Sequence, residues 1–314
     1  MFALQFFGGL FGLLLGADMA VGGCMRLARR WNLPPWVTGM LLLALGTSLP
    51  EFFVGLSASA EHPGLALGTV FGSNAVNVGG VFALMLIFAK KGIPLREAGL
   101  STLLALVTGS GLAFWAFSAP TPSVIASSAL LGLFAFVIWA TLRDGRRRKN
   151  ADPVSSLKES FPTSLLLAMG GFALLAFSST FFINGALGFA DLFGWREGFV
   201  GYVIAALGTS APEMFTSIGA IRRGHPGVVF GNIVGSNTFN LLMVGGTVGL
   251  MAGVPIDVVS VQPQLWVNLG ASLVLLIPLL RGRDENRGRT KTALWMGILL
   301  FLAYLAAAGW IGSL

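Results

Sequence analysis

Charged residues are scarce in this chain: Asp, Glu, Lys and Arg make up 11% of its 314 residues, against about 25% in typical soluble domains. Cysteine is scarcer still, because Cys24 stands alone and excludes an internal disulfide and a cysteine metal cluster. We interpret the two isolated histidines, His62 and His225, as turn residues. The sequence contains no Ser-His, Asp-Asp or histidine-rich constellation, so it argues against an enzyme and implies no cofactor.

Apolar residues take the place of the missing charge. They form 55% of the chain, and the mean hydropathy is +0.81. A membrane-spanning helix needs about 20 such residues, which predicts an all-α integral membrane protein. We expect the first helix to be retained rather than cleaved, because no basic segment precedes its apolar run. Ten spans are predicted, at approximately 5–25, 35–60, 65–89, 97–117, 122–142, 163–190, 197–221, 227–252, 261–280 and 292–312.

The spans fall into two halves of one membrane domain, at 1–142 and 162–314, joined by a polar linker at 143–161. Of the 20 lysines and arginines, nineteen fall in the loops after odd-numbered spans, and Arg196 is the exception. Basic loops stay on the cytoplasmic side, so we predict a cytoplasmic linker and N- and C-termini outside. We expect a prokaryotic-type plasma (inner) membrane. The net charge of +7 then requires no nucleic-acid partner.

An internal repeat relates the two halves. Residues 44–51 read ALGTSLPE and residues 206–213 read ALGTSAPE. A second pair, GSNAVN at 72–77 and GSNTFN at 235–240, follows at nearly the same separation of 162 to 163 residues. Because each half has an odd number of spans, the second half enters the membrane from the opposite side. The sequence therefore predicts two inverted-topology five-helix repeats with broken helices at the midplane.

A proline interrupts each copy of the first motif, and a glutamate, Glu51 or Glu213, follows it. Proline inside a helix frees the carbonyl four residues earlier. An ionisable side chain in the bilayer costs roughly 2.5–3.5 kcal/mol and normally faces a bundle interior or a cavity. Repair of a helix kink would not require a glutamate twice. Thr47 and Thr209 lie four residues before the glutamates, on the same helix face, and we interpret the whole as a cation site.

The candidate ligands are all oxygen atoms: carboxylates, hydroxyls, amides and freed carbonyls. Oxygen ligands suit hard cations such as Ca²⁺ and Na⁺, and a flexible set favours Ca²⁺ over Mg²⁺. The second motifs supply a hydroxyl and an amide on one helix face. They are Ser73 with Asn77, and Ser236 with Asn240.

Gly-Thr-Ser-x-Pro-Glu followed by Gly-Ser-Asn-x-x-Asn, twice, resembles the sodium/calcium exchanger family of the cation/calcium exchanger superfamily. The specific likeness covers about 80 residues. It implies a secondary antiporter that exchanges Ca²⁺ for Na⁺ by alternating access, with spans 1 and 6 sliding against a hub of spans 2, 3, 7 and 8. It also implies a divalent site at Glu51 and Glu213 with backbone oxygens of Thr47 and Thr209, sodium sites at Ala44, Ser48, Ser73, Ala206, Ser210 and Ser236, and central contributions from Asn77 and Asn240.

Two other functions stay open: a proton/cation (H⁺/Ca²⁺) exchanger on the same fold, and a passive cation channel, which the inverted broken helices disfavour. Many prokaryotic relatives carry aspartate where this chain has Asn240, which argues against a potassium-coupled mechanism with a third carboxylate. The expected partners are Ca²⁺, Na⁺ and the lipid bilayer, with no obligate protein partner. Asp18 is predicted to bind a neighbouring helix, and Asn74 and Asn237 to brace the neighbouring broken helix.

Overall fold

The computed structural model describes residues 2–61, 63–88, 100–147, 160–193, 210–276 and 291–311, and within these ranges the regular elements are helices. The α-helices are α1 (Phe2–Arg30), α2 (Pro35–Val37), α3 (Ala44–Thr47), α4 (Leu49–Ala58), α5 (Pro63–Val76), α6 (Ala83–Phe88), α7 (Leu100–Phe117), α8 (Val124–Arg147), α9 (Phe161–Phe193), α10 (Ala211–Arg222), α11 (Pro226–Thr238), α12 (Gly245–Met251), α13 (Val258–Val274) and α14 (Lys291–Ile311). The π-helical turns are π1 (Thr38–Leu43), π2 (Asn77–Phe82) and π3 (Phe239–Val244).

Several of these helices can cross a bilayer. Five are long and apolar enough by length and composition: Phe2–Arg30, Ala66–Phe88, Val124–Asp144, Phe161–Phe182 and Pro226–Met251. Shorter apolar helices occupy Pro35–Thr47, Ser101–Phe117 and Leu294–Trp310. Each of these eight overlaps a predicted span. A helix pairs its own main-chain N–H and C=O groups, for which the hydrocarbon of a bilayer offers no hydrogen-bond partners. The prediction of a helical membrane protein is confirmed for the part of the chain that is described.

Two composite helices form the centre of the bundle. One runs from α5 through π2 into α6, and the other from α11 through π3 into α12. In their most apolar 18-residue stretches, 89% and 94% of the residues are buried, against 33% and 24% in the long helices Phe2–Arg30 and Phe161–Phe182. Around this centre, α13 packs on α5, α7 packs on π3 and α11, α14 packs on α6, and α8 packs on α12. The motifs at 72–77 and 235–240, which these composite helices carry, therefore lie among helices rather than against lipid.

The outer helices carry large apolar side chains on their free surfaces. Leu4, Ile125 and Leu166 are 80%, 70% and 73% exposed. Soluble monomers rarely leave wide apolar patches in water, so these faces contact lipid tails.

Helices α1 and α9 form an antiparallel pair that packs through glycines. Gly9, Gly16 and Gly23 recur every seven residues on α1. A Cβ atom at Gly9 would overlap the main chain of Phe182, and one at Gly23 would overlap that of Ala168. Small residues let two backbones approach closely, which is how helices associate in lipid. This seven-residue spacing of glycines is visible in the sequence and is a signal from which the interface could have been predicted.

Candidate cation site

A serine, Ser48 or Ser210, directly precedes the helix that carries each Pro-Glu pair. Ser48, between α3 and α4, has φ −88° and ψ 7°, and Ser210, before α10, has φ −88° and ψ 6°. Each proline lies in the first turn of the helix that follows, where its missing N–H would be unpaired in any case. Helix α3 thus ends before Ser48 and α4 begins after it, and α10 begins after Ser210, so neither proline lies in mid-helix. The two serines thus have nearly the same main-chain conformation.

Glu51 and Glu213 lie in the first turns of α4 and α10. There the partial positive charge of the helix N-terminus stabilises a carboxylate. Their side chains are 0% and 1% exposed. Glu213 Oε1 accepts hydrogen bonds from Ser48 Oγ at 2.7 Å and Ser236 Oγ at 3.3 Å. Glu51 Oε1 accepts one from Ser73 Oγ at 3.4 Å. The second oxygen of each carboxylate has no hydrogen-bond partner among the described residues.

The site contains residues from both halves of the chain. Ser48 belongs to the first half, yet its hydroxyl binds Glu213 of the second half. Its Oγ also lies 3.0 Å from Ser236 Oγ. The predicted ligands Ser48, Glu213 and Ser236 thus form one cluster, and Glu51 with Ser73 forms the other contact.

The two central asparagines lie at the beginnings of π-helical turns. Asn77 opens π2, and Asn240 is the second residue of π3. Such turns are frequent at functional sites. Both side chains are 0% exposed. Asn77 Nδ2 donates to Asn237 Oδ1 at 3.0 Å, whereas Asn77 Oδ1, both amide atoms of Asn240 and Ser210 Oγ lack a partner within the described ranges.

Thr47 does not share with Glu51 the continuous helix face that its spacing predicted. The helix is interrupted at Ser48, between Thr47 and Glu51. The four-residue spacing therefore does not place the hydroxyl and the carboxylate on one continuous helix face. The Thr47 hydroxyl instead donates to the Leu43 carbonyl at 3.1 Å. The carbonyl of Ala44 accepts the amide of Ser48 at 3.0 Å. The predicted counterparts Thr209 and Ala206 lie outside the described residues.

Two further predictions need correction. Asn74 and Asn237 were predicted to brace the neighbouring broken helices, but the hydrogen bonds that the structure shows join them to each other. Asn74 Nδ2 donates to the Asn237 main-chain carbonyl at 3.4 Å, and Asn237 Nδ2 donates to the Asn74 main-chain carbonyl at 3.5 Å. Asp18 does contact a neighbouring helix, but through an ion pair with Arg223 at 3.3 Å. Its side chain is 58% exposed, so it is not a deep carboxylate.

The chemistry of the cluster is that of a hard-cation site. Two carboxylates, serine hydroxyls and asparagine amides converge in a buried interior. Buried carboxylates need compensation by a positive charge or by hydrogen bonds, and each glutamate here receives donors on one oxygen only. A cation that binds oxygen ligands supplies the missing compensation.

Comparisons with known proteins agree with this chemistry. The family described as sodium/calcium exchanger protein matches residues 1–143 and 163–311. The putative antiporter CaxA of Alkalimonas amylolytica is 32% identical over 313 residues, which cover 95% of this chain and 94% of that protein. The inner membrane protein YrbG of Escherichia coli (strain K12) is 30% identical over 325 residues, with 98% and 96% covered.

A solved structure is also similar. The sodium-calcium exchanger NCX_Mj, soaked with Na⁺ and Sr²⁺, matches with a TM-score of 0.79 and 28% identity, and the match covers 98% of this chain and 97% of that one. The family thus accounts for nearly the whole sequence, including both broken helices. The chain belongs to the sodium/calcium exchanger protein family, whose members are transporters rather than enzymes.

Proposed function

We propose that this protein is a secondary antiporter that exchanges Ca²⁺ for Na⁺ by alternating access. The observation that carries the proposal is the pair Glu51 and Glu213, buried to 0% and 1% exposure with one oxygen each left without a partner in the described chain. CaxA is named as a putative antiporter and NCX_Mj as a sodium-calcium exchanger, which supports transport of the same ions here.

The proposed ligand set is the one that the repeated sequence motifs indicate, and the burial of Glu51 and Glu213 supports it. Glu51 and Glu213 bind Ca²⁺ from opposite halves, and a flexible set of oxygens accommodates its six to eight ligands. The remaining proposed ligands for Ca²⁺ are Asn77, Asn240 and the backbone oxygens of Thr47 and Thr209. Those for Na⁺ are Ala44, Ser48, Ser73, Ala206, Ser210 and Ser236.

The proposed architecture has ten spans in two inverted five-helix repeats, at 1–142 and 162–314. The equal break geometry at Ser48 and Ser210 supports the repeat. In this architecture the linker at 143–161, most of which lies outside the described residues, is cytoplasmic, and both termini are outside. The basic loops support this orientation, and the name of YrbG supports an inner membrane.

Orientation is tested with single cysteines in a Cys24→Ala background. A cysteine at position 150 should react with membrane-impermeant maleimide only after the membrane is opened, whereas one at position 314 should react in intact cells. Labelling of position 150 from outside contradicts the proposed orientation.

Charge balance predicts how exchange responds to voltage. Glu51 and Glu213 are the only carboxylates among the described residues that are buried, so the site carries at most two negative charges. One Ca²⁺ neutralises it, while three Na⁺ leave one positive charge. That charge couples about 2.3 kcal/mol per 100 mV to transport, and an inside-negative potential then favours Ca²⁺ export.

The decisive experiment is Ca²⁺ uptake into proteoliposomes loaded with Na⁺, with the potential clamped by potassium and valinomycin. We expect uptake that requires the sodium gradient and varies with the clamped potential. Uptake driven by an outward proton gradient without Na⁺ would assign the protein as a proton/cation exchanger. Uptake without any counter-ion would assign it as a channel. Sodium-driven flux that ignores the potential contradicts the third sodium ion.

A further inference from the structure

A buried chain of hydrogen bonds leads into the cation site from outside the repeated motifs. Asn268 and Ser272 lie on α13, and Ser110 lies on α7. All three side chains are at most 2% exposed. Ser110 Oγ and Ser272 Oγ lie 3.0 Å apart, and Asn268 Nδ2 donates to Ser110 Oγ at 3.1 Å. None of these residues belongs to the motifs that the sequence analysis identified.

Asn268 fixes the orientation of Asn74. Asn268 Oδ1 accepts from Asn74 Nδ2 at 2.8 Å, and its Nδ2 is already bound to Ser110. Exchanging the oxygen and nitrogen of the Asn268 amide would place two donors face to face at Asn74. Because a buried donor without an acceptor is costly, Asn268 holds the Asn74 amide nitrogen towards α13.

Asn74 in turn is bound to the residue that orients Asn77. Asn74 and Asn237 each donate to the other's main-chain carbonyl. Since the Asn237 amide nitrogen is used there, Asn237 presents Oδ1 to Asn77 Nδ2, at 3.0 Å. The nitrogen of Asn77 is therefore occupied, and its oxygen is the atom left for a cation.

The first half has no equivalent of Asn268. The positions 162 to 165 residues before it are Leu103–Leu106, and all four side chains are apolar. The matching contact is absent too: Asn74 Oδ1 and both amide atoms of Asn240 lack hydrogen-bond partners in the described part of the chain. Two asparagines that correspond in the repeat are thus held differently.

We propose that Asn268 is a positioning residue for the Ca²⁺ site. It acts through Asn74 and Asn237 to hold the side-chain oxygen of Asn77, Oδ1, towards the cation. Asn77 is then a fixed ligand, and Asn240 an adaptable one. This inference depends on the proposed function of the site. Residues that orient metal ligands affect affinity strongly, and their loss typically costs about 10- to 100-fold in metal affinity.

The test compares Asn268→Leu with Gln264→Leu in proteoliposomes. Gln264 lies one helical turn earlier on α13, and its Nε2 donates to the Ser260 carbonyl, so the control removes an amide that has no bond to Asn74. We expect Asn268→Leu to raise the KM for Ca²⁺ about 10-fold and to leave the maximal rate per folded protein within about twofold. Gln264→Leu should change neither value. Ser110→Ala, which keeps the Asn268 side chain, should raise KM less than Asn268→Leu.

Asn74→Ala provides the second arm. If Asn268 acts through Asn74, adding Asn268→Leu to Asn74→Ala raises KM no further. A further rise of about 10-fold, or an unchanged KM in Asn268→Leu, overturns the inference.

Ca²⁺-dependent thermal stabilisation of each purified variant reports binding without transport. Asn268→Leu should need about 10-fold more Ca²⁺ for half-maximal stabilisation. If the wild-type protein shows Na⁺-dependent Ca²⁺ flux and the Asn268→Leu variant binds Ca²⁺ with normal affinity, this inference alone is overturned. Wild-type protein with neither flux nor stabilisation removes the proposed function and this inference together.

Discussion

The interface between α1 and α9 and the interface between α5 and α11 use opposite kinds of contact. Along α1 and α9, glycines such as Gly16 and Gly171 bring main chain against main chain. Between α5 and α11, the buried side chains of Asn74 and Asn237 form hydrogen bonds across the interface. The first interface faces lipid on its outer side, and the second lies in the centre of the bundle.

This difference separates an interface of main-chain packing from one in which side-chain hydrogen bonds fix the arrangement. Hydrogen bonds depend steeply on distance and angle, so the central helices have one favoured arrangement. Dispersion contacts between smooth surfaces are individually weak and largely non-directional. We infer that these hydrogen bonds let the central helices keep the ligands in place.

The largest effect is expected from the charges of the central region. Glu51→Gln and Glu213→Gln should each reduce sodium-driven Ca²⁺ uptake to background, because each removes one of the two buried charges that bind the ion. Glu61→Gln is the matched control, since Glu61 is exposed in the turn after α4. The thermal stability of the apo variants should be equal or higher, because a neutral amide is easier to bury. Robust Ca²⁺ flux in either site variant contradicts the proposed site.

The next effect is expected at the glycine interface. Gly9→Leu places a side chain against the main chain of Phe182, while Gly8→Leu on the same helix meets no atom within 4 Å of its Cβ. Overpacking costs about 1–3 kcal/mol. We expect Gly9→Leu to lower the Tm by several degrees and Gly8→Leu to leave it unchanged. The buried thiol of Cys24 reports unfolding through a thiol-reactive dye. Equal Tm values for the two variants would show that α1 and α9 do not pack as described.

A smaller effect is expected where the α1–α9 pair contacts α10. Arg223→Gln removes the ion pair with Asp18, whose partners are 41% and 58% exposed. Exposed ion pairs contribute at most about 1 kcal/mol. A double-mutant cycle with Asp18→Asn should give a coupling free energy below that limit, and Arg222→Gln serves as the control. A coupling well above it would mean that this contact, and not the central hydrogen bonds, dominates the resting arrangement.

The smallest effect is expected at His225, in the turn between α10 and α11. Burial lowers the pKa of His225, and the positive charges of Arg29 and Arg223 lower it further. The folded protein therefore resists protonation that the unfolded chain accepts near pH 6.5. Stability should be complete above pH 6.5 and should fall as the pH drops below it. His225→Gln should make the Tm less dependent on pH between 7 and 5. An equal pH dependence in wild type and variant would exclude this contribution.

The helical class and the burial of the glutamates could be predicted from sequence, because hydropathy and the duplicated Pro-Glu pairs report them directly. The position of the break could not. Proline marks a helix interruption, but whether it kinks a helix or opens a new one depends on the residues that precede it. Here each helix begins directly after the serine that lies two positions before its proline.

The partners of Asn74 and Asn237 were predicted wrongly for a related reason. Spacing along one helix tells which side chains share a face, not which neighbouring helix that face meets. Asn268 and Ser110 are 158 residues apart, and nothing in a local motif connects them. Their contact depends on how α7 packs against α13.

The hydrogen bonds between Asn74 and Asn237 have a consequence for the origin of the chain. Each residue contributes one donor and one acceptor to the other, and they are 163 residues apart, which is the repeat separation. Such a contact is isologous: it is the contact that one residue makes with its own copy across a two-fold axis. The contact between Asn74 and Asn237 is therefore of the kind that two copies of one segment would make as a symmetric homodimer.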